Sequence, residues 1–171
     1  MEFTFRFHPA DIAALASRYP INNEDILTEQ IKPAVRERGY LMLEELKIVC
    51  GWKSQRSKSR VAKNEPEDVR AITKVSLETS NERLRIGSLL LLDGIEYPTA
   101  SVILHFFHPE PYPILDFRAL EALNITKPNA YNFRFWEHYV AITRRIAIEN
   151  GVDMRVLDRA LWQWSKERSE K

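Results

Sequence analysis

Apolar positions recur at three- and four-residue intervals along nearly the whole chain, and the periodic stretches are interrupted at Pro, Gly and Asn. That spacing predicts an all-α fold, because a side chain returns to the same helix face about every 3.6 residues. Pro9 opens a short helix that stops at Tyr19-Pro20, since the residue before a proline resists helical backbone. Asn22 or Asn23 caps the next, with Glu24 and Asp25 in its first turn. It runs toward Arg38-Gly39, with Pro33 expected to kink or split it. Leu41, Leu43, Leu46 and Val49, with Met42 and Ile48 alongside, predict a largely buried third helix ending near Cys50-Gly51.

A basic stretch follows that reads as a loop or a frayed helix end. Asn64 and Pro66 then begin a helix that turns Val69, Ile72, Val75 and Leu77 inward. Ser80 caps another, with Leu84, Gly87, Leu90 and Leu91 on its buried face. Asp93-Gly94 turns the chain, and Pro98 starts a helix from 99 to about 107. The prolines of 108–113 bar that segment from helix, and Asp116 precedes a short amphipathic helix over 117–123. A long helix from about 131 to 149 closes at Asn150-Gly151, and Asp153 caps the last, which turns Val156, Leu157, Leu161 and Trp164 inward. Phe3, Phe5 and Phe7 alternate, but one short run builds no sheet.

Composition narrows the class. A length of 171 residues suits one helical domain, with two small lobes sharing a core as the other arrangement. With 44% hydrophobic and 29% charged residues there is ample material for a core, so the chain is not of the disordered type. The single cysteine, Cys50, excludes an internal disulfide, a thiolate zinc cage and a four-cysteine cluster. It fits a reducing compartment and a buried core thiol rather than a nucleophile. The opening Met1-Glu-Phe-Thr-Phe-Arg has no cationic leader before an apolar core, and the apolar runs 89–92 and 102–107 are far short of a membrane span. The expectation is a soluble cytoplasmic protein without membrane contact; oligomeric state is left open by the pattern.

Net charge is +1, from 25 Lys and Arg against 24 Asp and Glu, which selects no partner. The distribution is less even. Residues 53–63 read KSQRSKSRVAK, placing Lys53, Arg56, Lys58, Arg60 and Lys63 together without an anion, before the acidic Glu65-Pro-Glu-Asp68. Such a run either holds phosphates or is a solvated loop.

The most specific stretch is 89–123, LLLLDGIEYPTASVILHFFHPEPYPILDFRALEAL. Here the chain resembles the helix-hairpin-helix DNA glycosylase superfamily, the endonuclease III-like base-excision enzymes. Leu92-Asp93-Gly94-Ile95-Glu96 stands for the hairpin of a motif around 81–107, and Thr99-Ala100 matches directly. Ile103-Leu104 continue the apolar helix, and Leu115-Asp116 sits where the family has Val-Asp. The match covers about a fifth of the chain.

The resemblance implies a monofunctional glycosylase acting on double-stranded DNA, hydrolysing the N-glycosidic bond of a damaged base flipped into a cleft between two helical lobes. Asp116 would stabilise the positive charge that builds on the sugar and orient the attacking water. Gly94, Glu96, Tyr97 and Thr99 would meet DNA at the hairpin, whose backbone N–H groups face a phosphate. A structural monovalent cation there is the one implied ligand besides DNA, with no other cofactor and no catalytic metal. By position, Lys53, Ser54, Gln55, Arg56, Lys58 and Arg60 would approach the DNA as well, with Gln55 filling the gap left by the flipped base.

Departures and alternatives accompany each of these. Pro98 stands where lyase-competent relatives carry lysine; it has no amine for a Schiff base, so no backbone-cutting step is expected. Glu96 replaces the second hairpin glycine and brings a carboxylate toward the phosphate. Asp116 is equally suited to capping the helix after it. Trp52 and Tyr97 either stack on a base or pack against the protein. His105 and His108, one helical turn apart, lack a third zinc ligand and read as packing or capping groups. Trp136 and Tyr139 read as core, while Arg134, Arg144, Arg145, Arg155 and Arg159 read as helix surface. The alternative function is a non-catalytic relative that binds nucleic acid or a protein partner.

Overall fold

The computed structural model of the chain describes residues 2–21 and 23–169. Among them every regular element is helical. A 3-10 turn at Pro9–Asp11 leads into α1, Ile12–Ser17. There follow α2 (Lys32–Arg38), α3 (Leu43–Lys53), α4 (Lys58–Val61), α5 (Pro66–Glu78), α6 (Glu82–Leu89) and α7 (Tyr97–Phe107). The chain ends with α8 (Phe117–Ala122), α9 (Phe133–Glu149) and α10 (Met154–Ser169). Side-chain caps start several of them: Asn81 accepts from the Leu84 N–H at 2.9 Å, Asn132 from Phe135 at 3.0 Å and Asp153 from Val156 at 2.8 Å. Asn22, one of the two caps expected for the second helix, lies outside the described residues.

Three local expectations are corrected, while the split expected at Pro33 is seen as a change of helix type: a π-helical turn at Ile26–Ile31 gives way to α2, which has Pro33 in its first turn, with the Lys32 N–H bonded to the Leu27 carbonyl. A proline ring presses on the carbonyl four residues back, and the wider turn relieves that contact. The third helix runs through Gly51 to Lys53, with Met42 and Ile48 facing out. On α5 the buried positions are Val69, Thr73 and Ser76, while Val75 is exposed. The hydroxyls are inside because they satisfy backbone groups. Thr73 donates to the Val69 carbonyl at 2.7 Å and accepts from the Leu41 N–H at 2.9 Å, and Ser76 donates to the Arg85 carbonyl at 2.8 Å.

The third correction concerns α6. Its cap is Asn81 rather than Ser80, and its buried face is Arg85, Ile86, Ser88 and Leu89, leaving Leu84 and Leu91 in solvent. Arg85 is only 4% exposed. Its guanidinium reaches the Ser76 carbonyl at 3.3 Å, the Glu82 carboxylate at 3.5 Å and the His108 ring. A buried cation is tolerated when partnered in this way.

The chain divides into two compact units, Met1–Ile21 with Pro111–Lys171, and Asn22–Glu110. In the first, α1, α8 and α9 pack on α10, around Trp136, Tyr139, Leu157 and Leu161. Tyr112 stacks on Trp136 with centroids 5.9 Å apart. The extended segment 111–115 is pinned by three bonds. Arg144 Nε donates to the Pro111 carbonyl at 2.8 Å, Tyr139 Oη to the Ile114 carbonyl at 3.2 Å, and the Ile114 N–H to Asp158 Oδ1 at 3.2 Å. Near the N-terminus, the Thr4 and Arg6 N–H groups bond the Leu123 and Ala122 carbonyls at 3.0 and 2.9 Å. They satisfy carbonyls that the end of α8 would otherwise leave open.

In the second unit α3 packs against α4, α5 and α7, and α6 against α5 and α7. Its centre is aliphatic, with Leu46, Val49, Cys50, Val61, Ile86, Leu89 and Ile103 fully enclosed. Burial pushes the Cys50 thiol up to about 12. Trp52 packs edge-on against Phe106 at 5.3 Å, which is the packing alternative rather than the base-stacking one. No helix of the described residues is long and apolar enough to cross a membrane.

Candidate nucleic-acid interface

The turn between α6 and α7 is closed by the Ile95 N–H bonding the Leu92 carbonyl at 3.1 Å, with Gly94 at φ 80°. Left-handed backbone of this kind favours glycine. Space makes the same demand: a Cβ on Gly94 would lie 2.9 Å from both the Arg60 Cβ and the Val61 backbone nitrogen. The basic run is therefore packed directly on the turn. It is not a loop: a 3-10 turn at Gln55–Ser57 passes straight into α4.

Asn64 fastens the two segments. Its Nδ2 donates to the Val61 carbonyl at 2.8 Å and to the Asp93 carbonyl at 3.0 Å, and its Oδ1 accepts from the Asp93 N–H at 2.8 Å. One side chain thus ties the end of the basic run to the hairpin. Sequence reasoning assigned Asn64 only to the start of α5. A contact between residues 29 apart leaves no periodic signal by which to find it.

Where the segments meet, they line a surface pocket of about 240 Å³ formed by Ser54, Arg56, Arg60, Gly94, Glu96, Pro98 and Thr99. It opens at the N-terminus of α7, where the partial positive charge of the helix and the first-turn N–H groups favour an anion. Pro98, which contributes no N–H, occupies a first-turn position where one is not needed by the helix. Arg60 and Glu96 form a long ion pair at 4.0 Å, with side chains 59% and 74% exposed. The pocket thus carries two guanidinium groups and one carboxylate, and its Arg60 is partly engaged by Glu96.

The remaining candidates from the basic run lie outside this lining. Lys53 sits in the last turn of α3, a position that suits a cation beside the helix C-terminus. Gln55 and Lys58 are exposed on the 3-10 turn and α4. Tyr97, at the start of α7, is half-buried, and burial raises its phenol above the ordinary value while Arg83 pulls the other way.

Asp116 belongs to the other unit and caps α8: its Oδ1 accepts from the Arg118 N–H at 2.9 Å. The capping alternative is thus realised, and the half-buried carboxylate is held in place by it. Its charge reaches two phenols. Tyr131 is raised by burial and then by Asp116, and Tyr139 is raised well above the usual range by burial, then by Asp158, Asp116 and Tyr131. The pinned segment 111–115 is what delivers Asp116 to this position.

Metal chemistry finds no support in the histidines. Helix α7 ends at Phe107, so His108 leaves the face that His105 occupies, and its Nδ1 accepts from the Glu110 N–H at 3.1 Å while the ring lies against Arg85. Among the described residues there is no group of three or more ligand-type side chains able to hold a metal ion. For the monovalent cation implied at the hairpin, the Leu92 and Asp93 carbonyls already accept from the Ile95 N–H and Asn64 Nδ2. Compared with protein-family models, with curated proteins and with solved structures, the chain has no match.

Proposed function

We propose that this protein binds double-stranded DNA through the α6–α7 turn and the adjoining basic segment, and hydrolyses the N-glycosidic bond of a damaged base with Asp116 as the catalytic carboxylate. The observation that carries the DNA-binding half is the pocket itself. Two segments nominated separately, one by charge and one by its resemblance to a helix-hairpin-helix, line one cavity at a helix N-terminus. Two arginines, a serine, a threonine and first-turn N–H groups are suited to a backbone phosphate, which fixes register without reading sequence.

The chemical half rests on the resemblance around Leu115-Asp116 and on the fixed carboxylate. As the bond to the base breaks, positive charge grows on the sugar; a carboxylate held beside it stabilises that charge and orients the water that adds to the anomeric carbon. Pro98 leaves no amine for a covalent intermediate, so the reaction stops at the abasic site. The second reading, a DNA-binding relative without catalysis, is favoured by the capping bond that already engages Asp116.

Asp116→Asn separates the two. Under the glycosylase reading it abolishes base release and leaves duplex affinity unchanged; base release at the wild-type rate removes Asp116 from the mechanism. Arg56→Glu with Arg60→Glu lowers duplex affinity and reduces the salt slope by about 1 per cation lost. Unchanged affinity and slope assign these arginines to solvation.

A further inference from the structure

Phe3, Phe5 and Phe7 alternate with polar residues along an extended segment that belongs to no helix, and the chain uses only one edge of it. The Thr4 and Arg6 N–H groups both point at the end of α8, where they bond the Leu123 and Ala122 carbonyls. In extended backbone the N–H and C=O groups of successive residues face opposite edges, so those of Phe3 and Phe5 face away from α8. Among the described residues these groups have no backbone partner.

The two faces of the segment differ as its edges do. The rings are half-buried: Arg145 stands over Phe3 at 5.2 Å, Phe7 lies against Trp164 at 6.0 Å, and Phe5 meets Phe3 and Phe7 edge-on at 6.0 and 5.1 Å. Glu2, Thr4 and Arg6 are exposed on the other face. The Arg6 guanidinium donates to the neutral Asn124 side chain at 2.6 and 3.1 Å, which leaves its charge in place. Charged residues usually blunt an open edge of this kind. Here residues 2–6 read Glu-Phe-Thr-Phe-Arg, the same from either end except that the two terminal charges are opposite.

We propose that this open edge pairs antiparallel with the same edge of a second copy of the chain, Thr4 opposite Thr4. In that register Phe3 stands opposite Phe5 of the second copy, and each such pair exchanges two N–H···O bonds through the groups that α8 leaves open. Glu2 stands opposite Arg6 of the second copy, and Arg6 opposite its Glu2, so charges, rings and threonines all meet their complement. A parallel pairing would instead bring like charges together. Any extended strand satisfies the backbone bonds; the order of the charges is what selects a second copy. The ladder is short, so the contact is weak and reversible, well below the area of a permanent dimer. The proposal rests neither on DNA binding nor on the role of Asp116.

Sedimentation equilibrium of the full chain from micromolar to millimolar concentration should show a reversible monomer–dimer step. Over the same range the amide resonances of Phe3 and Phe5 should shift and gain protection from hydrogen exchange. Glu2→Arg and Arg6→Glu each set like charges opposite one another at both ends of the ladder and should each weaken association about tenfold, with helical circular dichroism retained. Mixed in equal amounts, the two variants set cation against anion at both ends, and association should return close to the wild-type level. A role of either residue within its own chain would not produce that rescue. A dimer that leaves the Phe3 and Phe5 amides unchanged, wild-type association in either variant, or a mixture no tighter than the variants alone overturns the proposal. A chain that stays monomeric at millimolar concentration overturns it too, and leaves the edge to a strand of another protein.

Discussion

Gly94→Ala tests the junction on which the proposed interface depends. Two costs add at this residue. Its φ of 80° is left-handed backbone, which a side chain makes unfavourable by about 1–2 kcal/mol. Its new Cβ would stand 2.9 Å from the Arg60 Cβ and the Val61 nitrogen and 3.0 Å from Val61 Cγ2. Backbone cannot swing aside as a flexible side chain does, so α4 must shift, an overpacking cost of about 1–3 kcal/mol. The sum is a loss of about 2–5 kcal/mol. Gly151 is the control: φ is 61° but nothing lies within 4 Å of its Cβ position, so Gly151→Ala should lose only the backbone part, about 1–2 kcal/mol. Urea denaturation with the slope unchanged measures both. The folded fraction of Gly94→Ala should also bind duplex DNA more weakly, because displacing α4 moves Arg60. Equal losses for the two alanine variants would refute the close packing of the basic segment on the turn.

Other consequences follow from the same structure. Arg85→Ala removes the buried cation bonded to His108, Glu82 and the Ser76 carbonyl and should cost about 3–5 kcal/mol; Arg85→Met fills the space without restoring these bonds, and denaturation midpoints no lower than wild type in either variant would show the network to be dispensable. Glu96→Gln removes the carboxylate facing Arg60 and should raise duplex affinity a few-fold, within the roughly 1 kcal/mol of an exposed pair. The gain should vanish at high salt, and fluorescence anisotropy that finds unchanged or weaker binding counts against a phosphate in the pocket. For Cys50, burial lifts the thiol from 9.0 to about 12, so above pH 9 the unfolded chain releases a proton that the folded chain keeps. Stability is full below that pH and falls toward pH 12, by about 1.4 kcal/mol per unit from this group. Cys50→Ala should flatten the fall in urea midpoints across that window, and an identical pH profile would place the thiol in solvent.

The parts of the fold that were legible in the sequence are those set by local chemistry. Asn132 and Asp153 cap their helices through their own side chains, and Pro98 and Gly94 act through backbone angles that travel with the residue type. Asp116 as a cap belongs with them. What escaped depends on contacts between distant segments. The face of α6 is displaced because Arg85 is inside and Leu84 and Leu91 are outside, and hydropathy has no means of recognising a cation whose partners come from α5 and the segment after α7. The same holds for Thr73 and Ser76, polar in sequence but buried against carbonyls and an N–H. In the candidate site, the charges of 53–63 and the turn at Asp93-Gly94 could each be read alone. Their meeting through Asn64 could not, nor could the division by which Arg56 and Arg60 line the pocket while Gln55 and Lys58 do not.

The central claim, duplex binding with Asp116 acting on the sugar, is tested most directly by a ligand that does not require the lesion to be known. A duplex carrying a cationic abasic-sugar analogue resembles the charge that develops as the base leaves, whichever base it is. Its affinity, measured against the same undamaged duplex at two salt concentrations, should show a clear preference for the analogue that is lost in Asp116→Ala. Binding to both duplexes should weaken as salt rises. Salt-sensitive binding without that preference would contradict catalysis and leave a DNA-binding protein; no binding to either duplex would contradict the account as a whole.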